Sequence, residues 1–450
     1  MTRATRLAEN TGMRRPAPST PVEKSRLRGA GRLARAVLPV GLTANALRPA
    51  SFGQPVGGWA FTAGWHVSEL PLLSLGLQVA LTAGAVRGGR WRTTPGMVRL
   101  GAQAVSAAGL VSLQRSAAAS KGVLEQALLA GLGPDYAGRA TEAGISPDEG
   151  PRINPWAAVP EWLSRGGRLR AEGISYGPAG KRNRLDIWAT EGIRPGDRAP
   201  VLVQVPGGAW VMGDTRHQAY PLMDRLRTAG WVCVPISYRL SPRATWPDHI
   251  VDVKRALAWV KANIADYGGD PDFVVITGGS AGGHLSSLAA LTANEAEFQP
   301  GFEDADTSVA AAVPFYGVYD LLDWNGRGGP AGSVRHMERL VLKSSPTADR
   351  ERWRRASPLY WAETRGADAP PMMLLHGTND SLVPVDGARR LARALRASSP
   401  RPVVYAELPR AQHAFDIYAS LRTLYSVRAV EHFLAYVRAG HILDGGVRPR

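Results

Sequence analysis

The sequence predicts an α/β protein whose mostly parallel central sheet is covered by helices on both faces. Two observations carry that expectation. From about Ile174 onward, short apolar and β-branched runs alternate with amphipathic helical segments, the pattern that buries a parallel sheet between helical layers. The second is the junction VVITGGSAGGHLSSLAAL (residues 274–291), where a strand runs into a helix around one serine. Glycine weakens both kinds of element, so its clustering there marks a sharp turn with close backbone approach.

The elements follow in chain order. NRLDIWA (183–189) alternates as a strand, APVLVQVPGGAW (199–210) reads as a buried strand ending in a glycine turn, and WVCVPISY (231–238) as another. Residues 248–268 place Ile250, Val253, Leu257, Val260 and Ile264 at spacings of three and four, an amphipathic helix with a glycine stop. Strands at 272–278, 309–317, 371–377 and 402–408 interleave with helices at 284–292, 386–398 and 425–440. Residues 321–369 interrupt the alternation and carry Trp324, Trp353, Tyr360 and Trp361, as an inserted lid would.

The 450 residues suffice for one large α/β domain and an extension. The net charge of +16 is unevenly spread: residues 1–100 hold fourteen Lys/Arg against three acids, which places +11 of it there. Residues 1–35, rich in Arg, Pro, Ser and Thr, are expected to be a disordered basic leader. Residues 36–150 read as an apolar, helical extension, and 151–450 as the catalytic domain. Within the extension, 36–47 is interrupted by Pro39, and 70–86 is free of charge, at the lower length limit of about 17 residues for a spanning helix. Residues 101–114 can pair with it as a helical hairpin. Membrane association through residues 36–115 is therefore expected, the alternative being a helical cap on a cytoplasmic enzyme. Nucleic acid is not an expected partner, because zinc-finger, RNA-binding and basic-heptad signatures are missing. The single cysteine, Cys233, precludes an internal disulfide and a thiolate cluster; it reads as a small buried hydrophobe.

Gly278-Gly279-Ser280-Ala281-Gly282 fits G-x-S-x-G in a strand–turn–helix setting. Such a turn lifts the serine hydroxyl above the sheet, and small residues two before and two after it let strand and helix pass closely. A serine nucleophile needs a base, and the base an orienting acid, in the chain order Ser, Asp/Glu, His. Of the later histidines, His284 and His432 lie on expected helices, His376 ends a strand and His336 falls in the insertion. His413, in LPRAQHAF after the last strand, is the expected base, and Asp380, in HGTNDSLVP directly after a strand, the expected acid. Asp386 is the reserve acid, better placed to cap the following helix. The loop VPGGAWVMGD (205–214) is expected to complete an oxyanion site made of Gly207, Gly208, Ala209 and Ala281, with N–H donors from Gly208, Ala209 and Ala281 and with Gly207 shaping the turn.

On the pieces PGGAWVMGD, YRLSP, GGDPDFVVITGGSAGGHL, LLHGTNDSLVP and QHAF, residues 174–438 resemble the α/β-hydrolase superfamily. Within it they resemble carboxylesterases related to hormone-sensitive lipase and kynurenine-formamidase-like esterases. The resemblance implies the α/β-hydrolase fold and a serine carboxylesterase with the triad Ser280, Asp380 and His413. Its substrates would be short- to medium-chain esters, lipid-derived ones included, cleaved through an acyl-enzyme without metal or cofactor. The chain departs from the family at Pro206, where the oxyanion motif usually begins with His, and at Gly279, where Asp is frequent. Two alternatives stay open: a peptidase or amidase of the arylformamidase or oligopeptidase kind using the same triad, and a catalytically inactive, membrane-anchored binding protein. A dinucleotide-binding reading fails because its fingerprint needs glycine where Ser280 stands.

Overall fold

Among the described residues eight stretches, most of them rich in β-branched and apolar residues, pair as strands, and in the computed structural model they form one sheet. The structure describes residues 37–49, 56–142, 169–216, 218–322 and 331–443. The strands are β1 (Leu169–Ser175), β2 (Arg184–Trp188), β3 (Ala199–Val205), β4 (Val232–Pro235), β5 (Gly269–Gly279), β6 (Ala311–Phe315), β7 (Met372–Gly377) and β8 (Val403–Leu408). Their order is β1-β2-β4-β3-β5-β6-β7-β8. β2 runs antiparallel to both β1 and β4, and every other pairing is parallel. The expected disorder of residues 1–35, and Trp324 of the insertion, lie outside the described residues.

The helices are α1 (Val37–Leu47), α2 (Val56–Glu69), α3 (Pro71–Arg87), α4 (Thr94–Leu132), α5 (Tyr136–Glu142), α6 (Tyr220–Thr228), α7 (Asp248–Asn263), α8 (Ala281–Leu291), α9 (Ala331–His336), α10 (Arg350–Arg355), α11 (Pro358–Arg365), α12 (Asp386–Ser398) and α13 (Leu421–Leu443). α7 is shorter than the expected 248–268. It ends at Asn263, and a 3₁₀ turn carries the chain to Gly268, whose positive φ of 85° is the stop that glycine permits. α4 absorbs residues 101–114 into a helix that continues to Leu132.

Successive strand residues feed two cores, as the period of two requires. Val201, Val203, Val274, Ile276, Met372 and Leu374 pack with α7, α8, α11 and α12 on one face. Leu202, Phe273, Val275, Met373 and Leu375 pack with α6, α13 and the C-terminal half of α4 on the other. Cys233 is buried in that second core as a free thiol, and burial pushes its pKa up. Leu124, Leu128 and Leu132 bring α4 into the same core. At Gly131 the contact with β8 is so close that a Cβ would lie 2.7 Å from Val404 Cγ2.

The N-terminal half of α4 leaves the domain and packs along α3. Together they expose Leu72, Leu73, Leu77, Val79, Leu81, Met97 and Val105. The chain bends by 86° between α2 and α3, and Glu69 sits at the corner with its side chain wholly buried. Its carboxylate meets Arg422 Nη1 at 2.5 Å, itself fully buried, and accepts from Ser420 Oγ at 3.0 Å. A buried ion pair strands one charge when the other is removed, at a cost of about 3–5 kcal/mol, whereas replacing both by apolar residues can be neutral. Glu69→Leu alone is therefore expected to lose about that much in urea unfolding, and Glu69→Leu with Arg422→Met to regain most of it. A single variant as stable as the wild type would remove this pair from the supports of the fold.

Candidate active site

Ser280 stands where β5 ends and α8 begins, with φ 58° and ψ −121°. A non-glycine residue held there carries about 1–3 kcal/mol of backbone strain. The neighbours allow it by having no side chains: a Cβ on Gly278 would lie 2.5 Å from Val205 O, and one on Gly282 2.1 Å from the same oxygen. Ser280 N donates to Phe315 O on β6 at 3.0 Å, fixing the turn to the next strand. Gly279 stands where the resembling family favours Asp because Tyr316 fills that space; a Cβ would be 2.6 Å from its hydroxyl oxygen.

The loop after β3 meets this turn from the other side. Gly207 lies against it, its Cβ position 2.5 Å from Gly279 O and 3.2 Å from Ser280 Cβ. Its N–H donates to Gln218 Oε1 at 2.6 Å, so Gly207 contributes shape to the oxyanion loop and no donor. The amides of Gly208, Ala209 and Ala281 have no acceptor among the described residues. Gly208, Ala209 and Trp210 all have positive φ, 123°, 51° and 61°. Where the family's histidine would brace the loop, Tyr238 Oη donates to Pro206 O at 3.0 Å.

On the far side of the sheet centre, the loops after β7 and β8 bring Asp380 and His413 together. His413 Nδ1 donates to Asp380 Oδ2 at 2.7 Å. Asp380 Oδ1 accepts from the amides of Leu382 and Val383 at 2.9 and 2.7 Å. Gln412 Oε1 ties the two loops by accepting from His413 N and Ser381 N, both at 2.8 Å. Burial alone would raise the Asp380 carboxyl; the imidazoles of His413 and His376 outweigh it and hold the group well below the usual carboxylate range. Asp386, the reserve acid, is largely exposed in the first turn of α12 and pairs with Arg389 at 2.9 Å rather than with an imidazole.

No hydrogen bond joins Ser280 Oγ to His413 among the described residues. The two are linked by Tyr316, whose ring centroid is 4.7 Å from that of His413 and whose other flank covers Gly279. Such bonds are often open in a free enzyme and tighten around substrate. Tyr316 Oη donates to Asp416, three residues after His413, so it also clamps the histidine loop to the serine turn.

Four site residues escaped the sequence reading in their roles. His376 Nε2 donates to Val383 O at 2.9 Å and lies 3.3 Å from Asp380 Oδ2, bracing the acid from behind. His284 donates through Nε2 to Ala356 O at 2.7 Å and accepts from Trp210 Nε1 at 3.3 Å. Burial lowers it to about 4, so the neutral ring holds the oxyanion loop against α8. Tyr316 and Asp416 complete the set. Only the run GGSAGGHL hinted at any of them, by placing His284 one turn after the serine.

The comparisons with known proteins bear on the fold and on what the chain is similar to. The family model BD-FAE matches residues 185–395. The native form of the thermophilic esterase from the Planctomycetes species Thermogutta terrifontis superposes with a TM-score of 0.50 at 26% identity, covering 63% of this chain and 98% of that one. The chain has the α/β-hydrolase fold. The chain is 58% identical over 266 residues to the probable carboxylic ester hydrolase LipM of Mycobacterium tuberculosis, covering 59% of this chain and 61% of that protein. It is 52% identical over 264 residues to Esterase LipQ of the same organism, covering 59% and 62%. The chain thus spans a little over three-fifths of the length of these curated relatives.

The clamp has a pH signature. Burial pushes the Asp416 carboxyl up to about 6, against the Tyr316 hydroxyl that donates to it. Between about pH 4 and 6 the folded protein keeps a proton that the unfolded chain has released, so stability falls as pH rises through that window. Asp416→Asn, which still accepts from Tyr316, is expected to flatten this limb of the stability–pH curve measured by urea unfolding. An unchanged slope would place the proton elsewhere.

Proposed function

We propose that this chain is a serine carboxylesterase that cleaves carboxylic esters through an acyl-enzyme. The observation that carries the reading is the strained Ser280 turn, flanked by three amides without acceptors and faced by the His413–Asp380 pair. Ser280 Oγ attacks the ester carbonyl as His413 takes its proton. Asp380, accepting from Nδ1, fixes the tautomer that leaves Nε2 basic. The negative oxygen of the tetrahedral intermediate is received by the amides of Gly208, Ala209 and Ala281. His413 returns its proton to the departing alcohol, and water repeats the sequence on the acyl-enzyme. The curated relatives named as ester hydrolases support esters over amides. Short to medium acyl chains are the proposed substrates, and residues 321–369 the lid: His336 on α9 donates through Nε2 to Ala209 O at 2.9 Å, directly over the oxyanion loop.

Ser280→Ala is expected to lower kcat on a chromogenic short-chain ester by at least about 10⁴-fold, with loss of labelling by a fluorophosphonate probe. Wild-type turnover in that variant would end the esterase reading.

We further propose that α3 and the protruding half of α4 rest in a membrane surface. Support comes from their exposed Leu72, Leu77, Leu81, Met97 and Val105 and from the basic tip with Arg87, Arg90, Arg92 and Arg99; no acid lies between Glu69 and Glu125. Each arginine near an anionic surface adds about 1 kcal/mol of attraction. Full-length protein is expected to float with vesicles containing anionic lipid, and Leu77→Asp with Val105→Asp to lower the bound fraction. Wild-type protein remaining in the soluble fraction would remove the membrane from the account.

A further inference from the structure

We propose that helix α2 belongs to the active site and supplies Phe61 as a wall of the subsite that receives the ester's alcohol. The proposal rests on the Ser280–His413–Asp380 reading above. The Phe61 and His413 rings meet edge to face, with centroids 6.1 Å apart and planes at 78°. Of the described segments, α2 lies well before the family match, which begins at residue 185.

The helix is fastened to both catalytic loops. At its N-terminal end, Gly57 approaches the acid loop so closely that a Cβ would lie 2.7 Å from Ser381 O, and Ser381 Oγ donates back to Gly57 O at 3.2 Å. At its C-terminal end, Ser68 Oγ donates to Arg410 O at 3.2 Å, three residues before His413. In the middle, Trp65 Nε1 donates to Ala414 O at 2.9 Å, the residue next to His413. Trp65 also stacks on Phe61, with centroids 5.3 Å apart, and lies tilted against Tyr418 at 4.9 Å. Phe61 is thus held by an aromatic stack anchored on the histidine loop itself, and its own side chain is half-exposed.

Chemistry assigns the side of the ester it meets. The imidazole that protonates the leaving alcohol must come within about 3 Å of the alcohol oxygen. A ring in edge contact with that imidazole therefore borders the first carbons of the alcohol. The acyl carbonyl is oriented elsewhere, by the amides of Gly208, Ala209 and Ala281. An apolar wall there favours alcohols with an apolar body and gives little to methanol.

The test compares Phe61→Ala and Phe61→Leu with wild type in the full-length protein, with thermal melting as the fold control. One substrate series keeps acetate and varies the alcohol from methyl to hexyl to phenyl; a second keeps one alcohol and varies the acyl chain. The expected result is a loss of about tenfold in kcat/KM for hexyl and phenyl acetate relative to methyl acetate, with a smaller loss in Phe61→Leu. The rank order of acyl chains and the common deacylation rate should not move, because the alcohol has left before deacylation. A uniform loss across both series would mean a purely structural role and overturn the proposal, as would unchanged alcohol selectivity. If wild-type Ser280 takes no fluorophosphonate label, the triad reading fails and this subsite falls with it; a labelled Ser280 with unchanged selectivity rejects Phe61 alone.

Discussion

The carbonyl oxygen of Val205 lies in contact range of both Gly278 and Gly282, and this crossing of β3 over the β5–α8 turn determines where Ser280 can stand. Any side chain at either glycine would push the strand and the helix apart. The same strand end launches the next loop at Pro206, so Ser280 and the amides of Gly208, Ala209 and Ala281 are set by one backbone crossing rather than by separate side chains. Donors placed by backbone need no reorganisation when charge develops on the substrate. The positive φ values at Ala209, Trp210 and Ser280 are the strain this arrangement stores, whereas Gly208 adopts its own without cost.

The base side is held differently, by side chains from distant parts of the chain. Gln412 joins the acid and histidine loops, His376 braces Asp380 from the strand below, and Tyr316 ties the histidine loop to the serine turn through Asp416. Asn379 Nδ2 donates to Ala46 O and Leu47 O, and Glu69 pairs with Arg422 thirteen residues past the Asp380 partner's own loop start at Pro409. The loops that carry Asp380 and His413 are therefore stiffened by the N-terminal helices as well as by the sheet.

Much of this was legible. Ser280, Asp380 and His413 stood out because each sits in a short loop whose position after a strand can be read from local composition, and α12 matches its expected bounds, 386–398. β1 was not legible, because it is a largely exposed edge strand whose residues, LRAEGIS, lack the alternation that burial on one face imposes. The roles of Tyr316, His376, Gln218 and Glu69 were hidden for another reason. Their partners are set by how loops fold back, from Asp380 and Val383 a few residues after His376 to Arg422, 353 residues from Glu69, and no local pattern encodes that. Apolar periodicity in α4 was equally silent on its surroundings: one half packs on β8 and α13, while the other exposes Met97 and Val105.

The continuity of α4 has a consequence for the life of the protein. Its 39 residues form one uninterrupted rod, about 60 Å long at 1.5 Å per residue. One end carries the exposed hairpin and the other completes a hydrophobic core. Cutting the chain anywhere between α5 and β1 would sever the covalent link yet leave Leu124, Leu128 and Leu132 seated against the sheet. A break in the chain there would not liberate β1–α13 from the N-terminal helices; the two pieces would stay joined through that core.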